Sequence, residues 1–363
     1  MKVCWVTTIP SPYKMKLLDE IGKNVDLYVV LHDVVDANRN DDWAVQNNYS
    51  FHLDFVDRNY LKTIKKLSRL CDIYVSGGTY MTWFGYLAAS EFKRQNKKCI
   101  LLADGGIARD RGFFLNSFQS YMMKRYDYYF SSSVHTNDYF AYYGVDESKI
   151  LLYRFTSLSD QNIKDNKKLI QHKNEFRKQL KIDDKFTLIS VGQPIRRKGF
   201  DILLNAYINT GLADKINLYI VGGEPQDEIK AIVDKNNLTN AHFVGLLKSG
   251  ELNKYYAAGD AFILCTREDI WGLVIEEAMS FGLPVITSNE CVCGLHFADM
   301  GNCVKAIDVN DVRSYADAIV ELYNNQTDSL SKEALVLIKD YTIENSAADV
   351  MENLKTVLEE RIK

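Results

Sequence analysis

Apolar and polar positions along the chain fall into two stretches with the same rhythm. Between residues 2 and 155, short β-rich apolar segments ("KVCWVTT", "VDLYVVL", "DIYVSGG", "KCILLADGG", "YDYYFSSS", "KILLYRF") alternate with amphipathic ones ("YKMKLLDEIG", "YLKTIKKLSRL", "WFGYLAASEFKRQ", "FLNSFQSYMMKR", "HTNDYFAYYG"). Strands alternating with helices predict a parallel sheet covered on both faces. From residue 186 the rhythm restarts with "FTLISVG", "FDILLNAYINT", "NLYIVGG", "EIKAIVDKNN", "AHFVG", "ELNKYYAAG", "AFILCT", "GLVIEEAMSFG" and "LPVITS", and predicts a second doubly wound sheet. The polar, lysine-rich stretch from 157 to 185 lacks strand periodicity and reads as the interdomain connection, with or without one helix. The predicted fold class is therefore α/β, with two doubly wound, Rossmann-like parallel-sheet domains facing a cleft: 1–160 and 161–342, followed by a long amphipathic helix over 343–363.

Composition agrees and narrows the classes. The chain has 363 residues, 47% apolar and 25% charged, which suits two soluble folded domains at about 150 residues each. A net charge of −4 argues against nucleic acid as a partner. Seven scattered cysteines, several inside apolar strands, read as reduced thiols packed as small hydrophobes, and so as a cytoplasmic protein. Cys291 and Cys293, with His296 nearby, lack the second ligand pair of a structural zinc site. The N-terminal segment lacks the apolar region of a signal peptide, and no apolar run approaches a membrane span.

Ligands of open α/β sheets bind outside the carboxyl ends of the strands. The glycine and polar punctuation at Pro10–Tyr13, Gly77-Gly78, Asp104-Gly105-Gly106, Gly192–Gly199, Gly222-Gly223 and Asp269–Gly272 follows predicted strands. In "REDIWGLVIEEAMSFGLPVITS" (267–288) a strand ends, a turn carries Glu268 and Asp269, and a helix is expected over Trp271–Phe281 with Gly272 in its first turn. Free amides and the positive dipole end at such a terminus attract an anion, which suits a diphosphate. Asp269 at the helix entrance and Glu277 further along are placed to accept from sugar and ribose hydroxyls. The bland alternative is that Asp269 caps the helix while Glu276 and Glu277 form its solvated face.

Asp269-Ile-Trp-Gly-Leu-Val-Ile-Glu-Glu277-Ala-Met, followed by Gly282-Leu-Pro-Val, resembles the E-x7-E segment of glycosyltransferase family 4, retaining enzymes of the GT-B fold. "ISVGQPIRRKGFDILLNAY" (189–207) is similar to that family's strand, phosphate loop and helix, and the likeness runs nearly continuously from 186 to 323. The resemblance implies transfer of a hexose from a nucleotide sugar, UDP-linked by first preference, to a saccharide acceptor. Asp269 would hold the donor sugar, with Glu268 an alternative by reach. The backbone around Trp271, Gly272, Leu273 and Val274 would hold sugar and diphosphate, and Glu277 the ribose. Lys198 matches the family's phosphate lysine, but Gln193 stands where the family has arginine, so Arg196 or Arg197 is expected to supply the second cation. Asp269 also departs from the family's glutamate. No cofactor or metal is implied, and the chain has no Asp-x-Asp triplet.

The first domain resembles the subset acting on capsule, exopolysaccharide or lipopolysaccharide units, through "IPSPYKMKLLDEIG", "LLADGGIARD" and "KILLYRFTSLSD". Asp104 is placed to polarise an acceptor hydroxyl, unless it is a plain β-to-α turn. No histidine is assignable to the reacting sugar; His32, His52 and His135 qualify by composition only. Residues 109–125 combine Arg109, Arg111, Lys124 and Arg125 with Phe113, Phe114, Leu115, Phe118, Met122 and Met123. Such a surface can rest on anionic lipid at the inner face of the cell membrane, where the resemblance places a lipid-linked acceptor; core packing explains the same apolar residues. The resembled fold returns its last helix to the first domain. Two other functions stay open: a sugar-nucleotide epimerase of the same architecture, and a non-catalytic nucleotide-sugar-binding protein. A dinucleotide oxidoreductase is disfavoured, because no G-x-G-x-x-G follows the first strand.

Overall fold

The computed structural model describes residues 1–32, 48–56, 60–325 and 327–359. Two compact units result: residues 1–157 with 341–363, and residues 158–340.

In the first unit seven parallel strands, β1 (Lys2–Thr7), β2 (Asp26–Leu31), β3 (His52–Phe55), β4 (Ile73–Gly77), β5 (Lys98–Ala103), β6 (Tyr128–Ser131) and β7 (Ile150–Leu152), lie in the order β3-β2-β1-β4-β5-β6-β7. Central strands such as β4 are buried at every residue, which is why they are apolar without alternation. Five helices cross between them: α1 (Pro12–Gly22), α2 (Tyr60–Leu70), α3 (Trp83–Arg94), α4 (Phe113–Met123) and α5 (Val134–Tyr142). Their starts are chemically marked. Pro12 opens α1, the Thr82 hydroxyl accepts from the Gly85 amide at α3, and Ser133 does the same from Thr136 at α5. Buried residues of α2, α3, α4 and α5 share one core cluster with β1, β4 and β5, so these helices cover the same face of the sheet.

The second unit begins where the sequence suggested a connection. Residues 157–185 are not a linker with one helix: they form α6 (Asp160–Ile170), opened by a Ser159/Asn162 capping box, and α7 (Lys173–Leu180). Both pack into the second unit, through the buried Asn166 amide on Ser280 Oγ (2.8 Å) and Arg177 on Asp260 (2.5 Å). Six parallel strands follow, β8 (Phe186–Val191), β9 (Ile216–Val221), β10 (Ala241–Val244), β11 (Ala261–Leu264), β12 (Val285–Ser288) and β13 (Val304–Ile307), ordered β10-β9-β8-β11-β12-β13. Their helices are α8 (Phe200–Asn209), α9 (Asp227–Lys235), α10 (Ser249–Ala258), α11 (Leu273–Ser280), α12 (Val292–Ala298), α13 (Val312–Asn324) and α14 (Asp328–Ile338). The last helix, α15 (Ile343–Glu359), belongs to the first unit; Asp349 there accepts from the Arg154 guanidinium (2.6 and 2.7 Å). Residues 360–363 of the helix expected over 343–363 lie outside the described residues. All seven cysteines are buried and unpaired.

Candidate active site

In each sheet the strand order reverses beside the first strand of the unit, between β1 and β4 and between β8 and β11. Such a switch point opens a crevice, because consecutive connections leave it in opposite directions. The second unit fills its crevice with two loops, 192–199 after β8 and 265–272 after β11.

These loops are stitched together by backbone and side chains. The Arg267 amide and the Thr266 hydroxyl both donate to the Arg197 carbonyl (2.7 and 3.0 Å), and Arg267 Nη1 donates to the Arg196 carbonyl (2.8 Å). The same guanidinium grips Asp201 with two bonds of 2.8 and 2.6 Å, a fork-on-carboxylate geometry that fixes direction as well as distance. Gly199 makes the approach possible: it has φ +67°, and a Cβ there would stand 1.8 Å from the Cys265 carbonyl oxygen.

The consequence is a short ion pair at the crevice. Lys198 Nζ lies 2.5 Å from Asp269 Oδ2, with both side chains more than four-fifths buried. Arg197 Nη1 stands 3.9 Å from the same oxygen and donates to the Glu268 carbonyl at 2.6 Å. Of the two arginines offered as second cation, Arg197 therefore faces Asp269, while Arg196 lines a cavity of about 280 Å³ with Pro194, Asp201, Gln226 and Arg267. Gln193 is exposed, its carbonyl accepting from the Ile195 amide at 2.8 Å.

Gly272 is the N-cap of α11 and not part of its first turn; the helix starts at Leu273, two residues later than expected. Its φ of +104° suits glycine, and a Cβ would meet Cys291 Sγ at 2.5 Å. The amides of Leu273 and Val274 head the helix, where no intrahelical acceptor exists for them. Asp269 stays outside α11, held to Cys291 by an isolated parallel bridge, so it does not share a helix face with Glu277.

The two glutamates of α11 are not a solvated face. Glu276 is fully buried and accepts from the Trp271 indole Nε1 at 2.9 Å, which draws the Trp271 ring into the core and leaves its backbone at the site. Glu277 is partly buried and accepts from the Tyr256 hydroxyl at 3.0 Å. Burial pushes the Glu277 carboxyl up to about 7, against the downward pull of that hydrogen bond.

Asp104 lies in the other unit, after β5. It accepts from Lys14 Nζ (3.0 Å) and from the Tyr153 hydroxyl (3.2 Å). Burial pulls the Lys14 pKa down most strongly, but the attractions of Asp104 and Tyr13 and the hydrogen bond to Asp104 together raise it. His52 stacks on Tyr28 at 4.6 Å and contacts Asp26, and His32 abuts Phe84, which gives both rings packing partners. Arg267, Asp201, Thr266, Glu276, Lys14 and Tyr153 were not visible as site residues in the sequence. Thr266, Arg267 and Glu276 adjoin motif residues but their partners show only in the fold, and Asp201, Lys14 and Tyr153 come from other segments that the folded chain brings into reach.

Two doubly wound parallel sheets with this crevice define a chain of the GT-B glycosyltransferase fold. Along 98% of its length it superposes on all of the Anabaena protein Alr3699/HepE, solved in complex with UDP and glucose, with a TM-score of 0.75 at 13% identity. Residues 172–339, within the second unit, match the family described as glycosyl transferases group 1. A protein in the cps region of Klebsiella pneumoniae is 29% identical over 40% of this chain and 38% of its own length. The lipopolysaccharide glucosyltransferase WaaG of Escherichia coli is 26% identical over 39% and 37%. The chain thus spans under two-fifths of the length of these two relatives. No described helix is long and apolar enough to cross a membrane.

Proposed function

We propose that the chain transfers a hexose from a UDP-sugar to a hydroxyl of a saccharide acceptor, with retention at the anomeric carbon, in the building of a cell-surface polysaccharide. The observation that carries this reading is the Lys198–Asp269 pair at the head of α11. A donor diphosphate competes with Asp269 for Lys198, and the carboxylate so released accepts from the sugar hydroxyls.

The anomeric C–O bond to the diphosphate breaks, and a bond from the acceptor oxygen forms on the same face. The acceptor proton passes to an oxygen of the departing phosphate. Lys198, Arg197 and the amides at Gly272, Leu273 and Val274 meet the charge that grows on the leaving group, the electrostatic help this chemistry needs most. Glu277, ionised above about pH 7, accepts from the ribose hydroxyls. Asp104, fixed by Lys14 and Tyr153, orients the acceptor hydroxyl. The acceptor is carried on a lipid, and the reaction takes place at the inner face of the membrane.

The test is a product assay with UDP-hexoses, with and without saccharide acceptors, and with chelator present. The reading expects a new glycoside with the donor's anomeric configuration, only when acceptor is added, at a rate unaffected by EDTA. An epimerised donor formed without acceptor, or nucleotide binding with no turnover on any acceptor, would overturn it.

A further inference from the structure

The Cys291–Cys293 pair, which lacks a zinc partner set in the sequence, lies against the 265–272 loop. No group of three or more His, Cys, Asp or Glu side chains that could hold an ion forms among the described residues. Both thiols are fully buried, at the N-cap and the second residue of α12.

The segment after β12 runs beside residues 269–271 as a short parallel ladder. The Asp269 amide donates to the Glu290 carbonyl (2.8 Å), the Val292 amide to the Asp269 carbonyl (3.4 Å) and the Cys293 amide to the Trp271 carbonyl (2.9 Å). Just before it, Ser288 Oγ donates to the Thr266 carbonyl (2.6 Å). The 265–272 loop is therefore held by two others: the 192–199 loop and this segment.

The Trp271 carbonyl receives a second donor from the same segment. Cys291 Sγ lies 2.9 Å from that oxygen and donates to it. Burial, with the Asp269 charge adding to it, pushes the Cys291 thiol up to about 12, so the donated proton stays on the sulfur at neutral pH. A trans peptide is planar, with its N–H directed opposite to its C=O. Two donors on the Trp271 oxygen thus fix the plane of the Trp271–Gly272 peptide and turn the Gly272 amide away from α12. The sulfur also closes the space beside residue 272, where a Cβ would meet it at 2.5 Å.

We propose that Cys291 is a positioning residue of the nucleotide site, its thiol holding the Trp271–Gly272 peptide so that the Gly272 amide is presented to the donor diphosphate. The inference rests on the proposed function, and it adds to that site a side chain from a third loop.

The test is titration calorimetry of UDP, with melting temperatures and initial rates. Cys291→Ser keeps a donor, Cys291→Ala and Cys291→Val do not, and Cys303→Ala removes an equally buried thiol just before β13. Whichever of the Ala and Val variants folds is expected to lose at least about threefold in UDP affinity and about tenfold in kcat, the scale of a misaligned stabilising donor. Cys291→Ser should restore most of both, while Cys303→Ala lowers the melting temperature and leaves UDP affinity unchanged. An unchanged UDP affinity in a folded non-donating variant, a serine variant no better than alanine, or an equal loss in Cys303→Ala would overturn the proposal. A parent chain that binds no UDP would overturn it together with the reading it rests on. UDP binding that depends on Cys291, in a chain that transfers no hexose, would leave it standing and defeat the transferase reading instead.

Discussion

Both units set a lysine from the segment after their first strand against an aspartate from the loop after a later one: Lys14 with Asp104, and Lys198 with Asp269. The two pairs differ in what surrounds them. Lys198 has Arg197 beside it, a glycine-capped helix terminus at its partner, and a network through Arg267 and Asp201 that holds both loops. Asp104 is held by Lys14 and by the Tyr153 hydroxyl, and Tyr13, Tyr153 and Phe155 pack edge to face close by. The first arrangement concentrates positive charge and suits a dianionic diphosphate. The second, nearly neutral and aromatic, suits a sugar. Under the proposed function, one architecture used twice would separate charge recognition from saccharide recognition.

Breaking the charged pair should have the largest effect. Lys198→Ala is expected to lower kcat by about 10²–10³-fold, the usual cost of removing one leaving-group stabiliser, whereas Lys14→Ala should act on acceptor KM; initial-rate kinetics with each substrate varied checks both. Gly272→Ala forces a side chain into φ +104° and into Cys291 Sγ. It should cost about 1–3 kcal/mol of stability, read as a lowered melting temperature, together with weaker nucleotide binding.

Arg267→Met leaves Lys198 and Asp269 in place but removes the fork that aligns their loops. It is expected to cost about 10-fold to 100-fold in kcat, with a smaller loss in nucleotide affinity.

Glu277 gives the smallest and most pH-specific effect. Its folded pKa, about 7, lies above the usual carboxylate value. The protonated form is therefore favoured by folding; that contribution is full below the unfolded pKa near 4.5 and is lost as pH rises through 7. Glu277→Gln should flatten the fall in melting temperature between pH 5 and pH 8, each value an approximate bracket of that window. Donor affinity of the parent chain should rise through about pH 7 as the carboxylate forms, and the glutamine variant should lose this rise; calorimetry across pH checks it.

Much of this contrast could be read before any coordinates. The restart of the strand–helix rhythm at 186 anticipates two doubly wound sheets because buried parallel strands must be apolar throughout. Asp269 and Glu277 are legible because they bracket an expected helix terminus, whereas Lys198 is legible only through the likeness of its loop to the family's phosphate loop. What escaped depends on tertiary contact. β3 is only four residues long and mostly exposed at the sheet edge, so its alternation of polar and apolar residues is too short to stand out. α6 and α7 are polar helices, with only Asn166 and Phe176 of their residues buried. Arg267 and Asp201 are 66 positions apart, and only the packing of the two loops joins them. Glu276 looked like a surface acid because nothing in its spacing announces the Trp271 indole as a buried partner.

The central claim is that the diphosphate belongs to the second unit's pair and not to the first unit's. Titration calorimetry of UDP against the parent chain, Lys198→Ala and Lys14→Ala tests it most directly. The account predicts an affinity loss of at least about tenfold, or 1.4 kcal/mol, for Lys198→Ala and an unchanged value for Lys14→Ala. Equal affinities for the parent and Lys198→Ala, with the loss at Lys14→Ala, would contradict it.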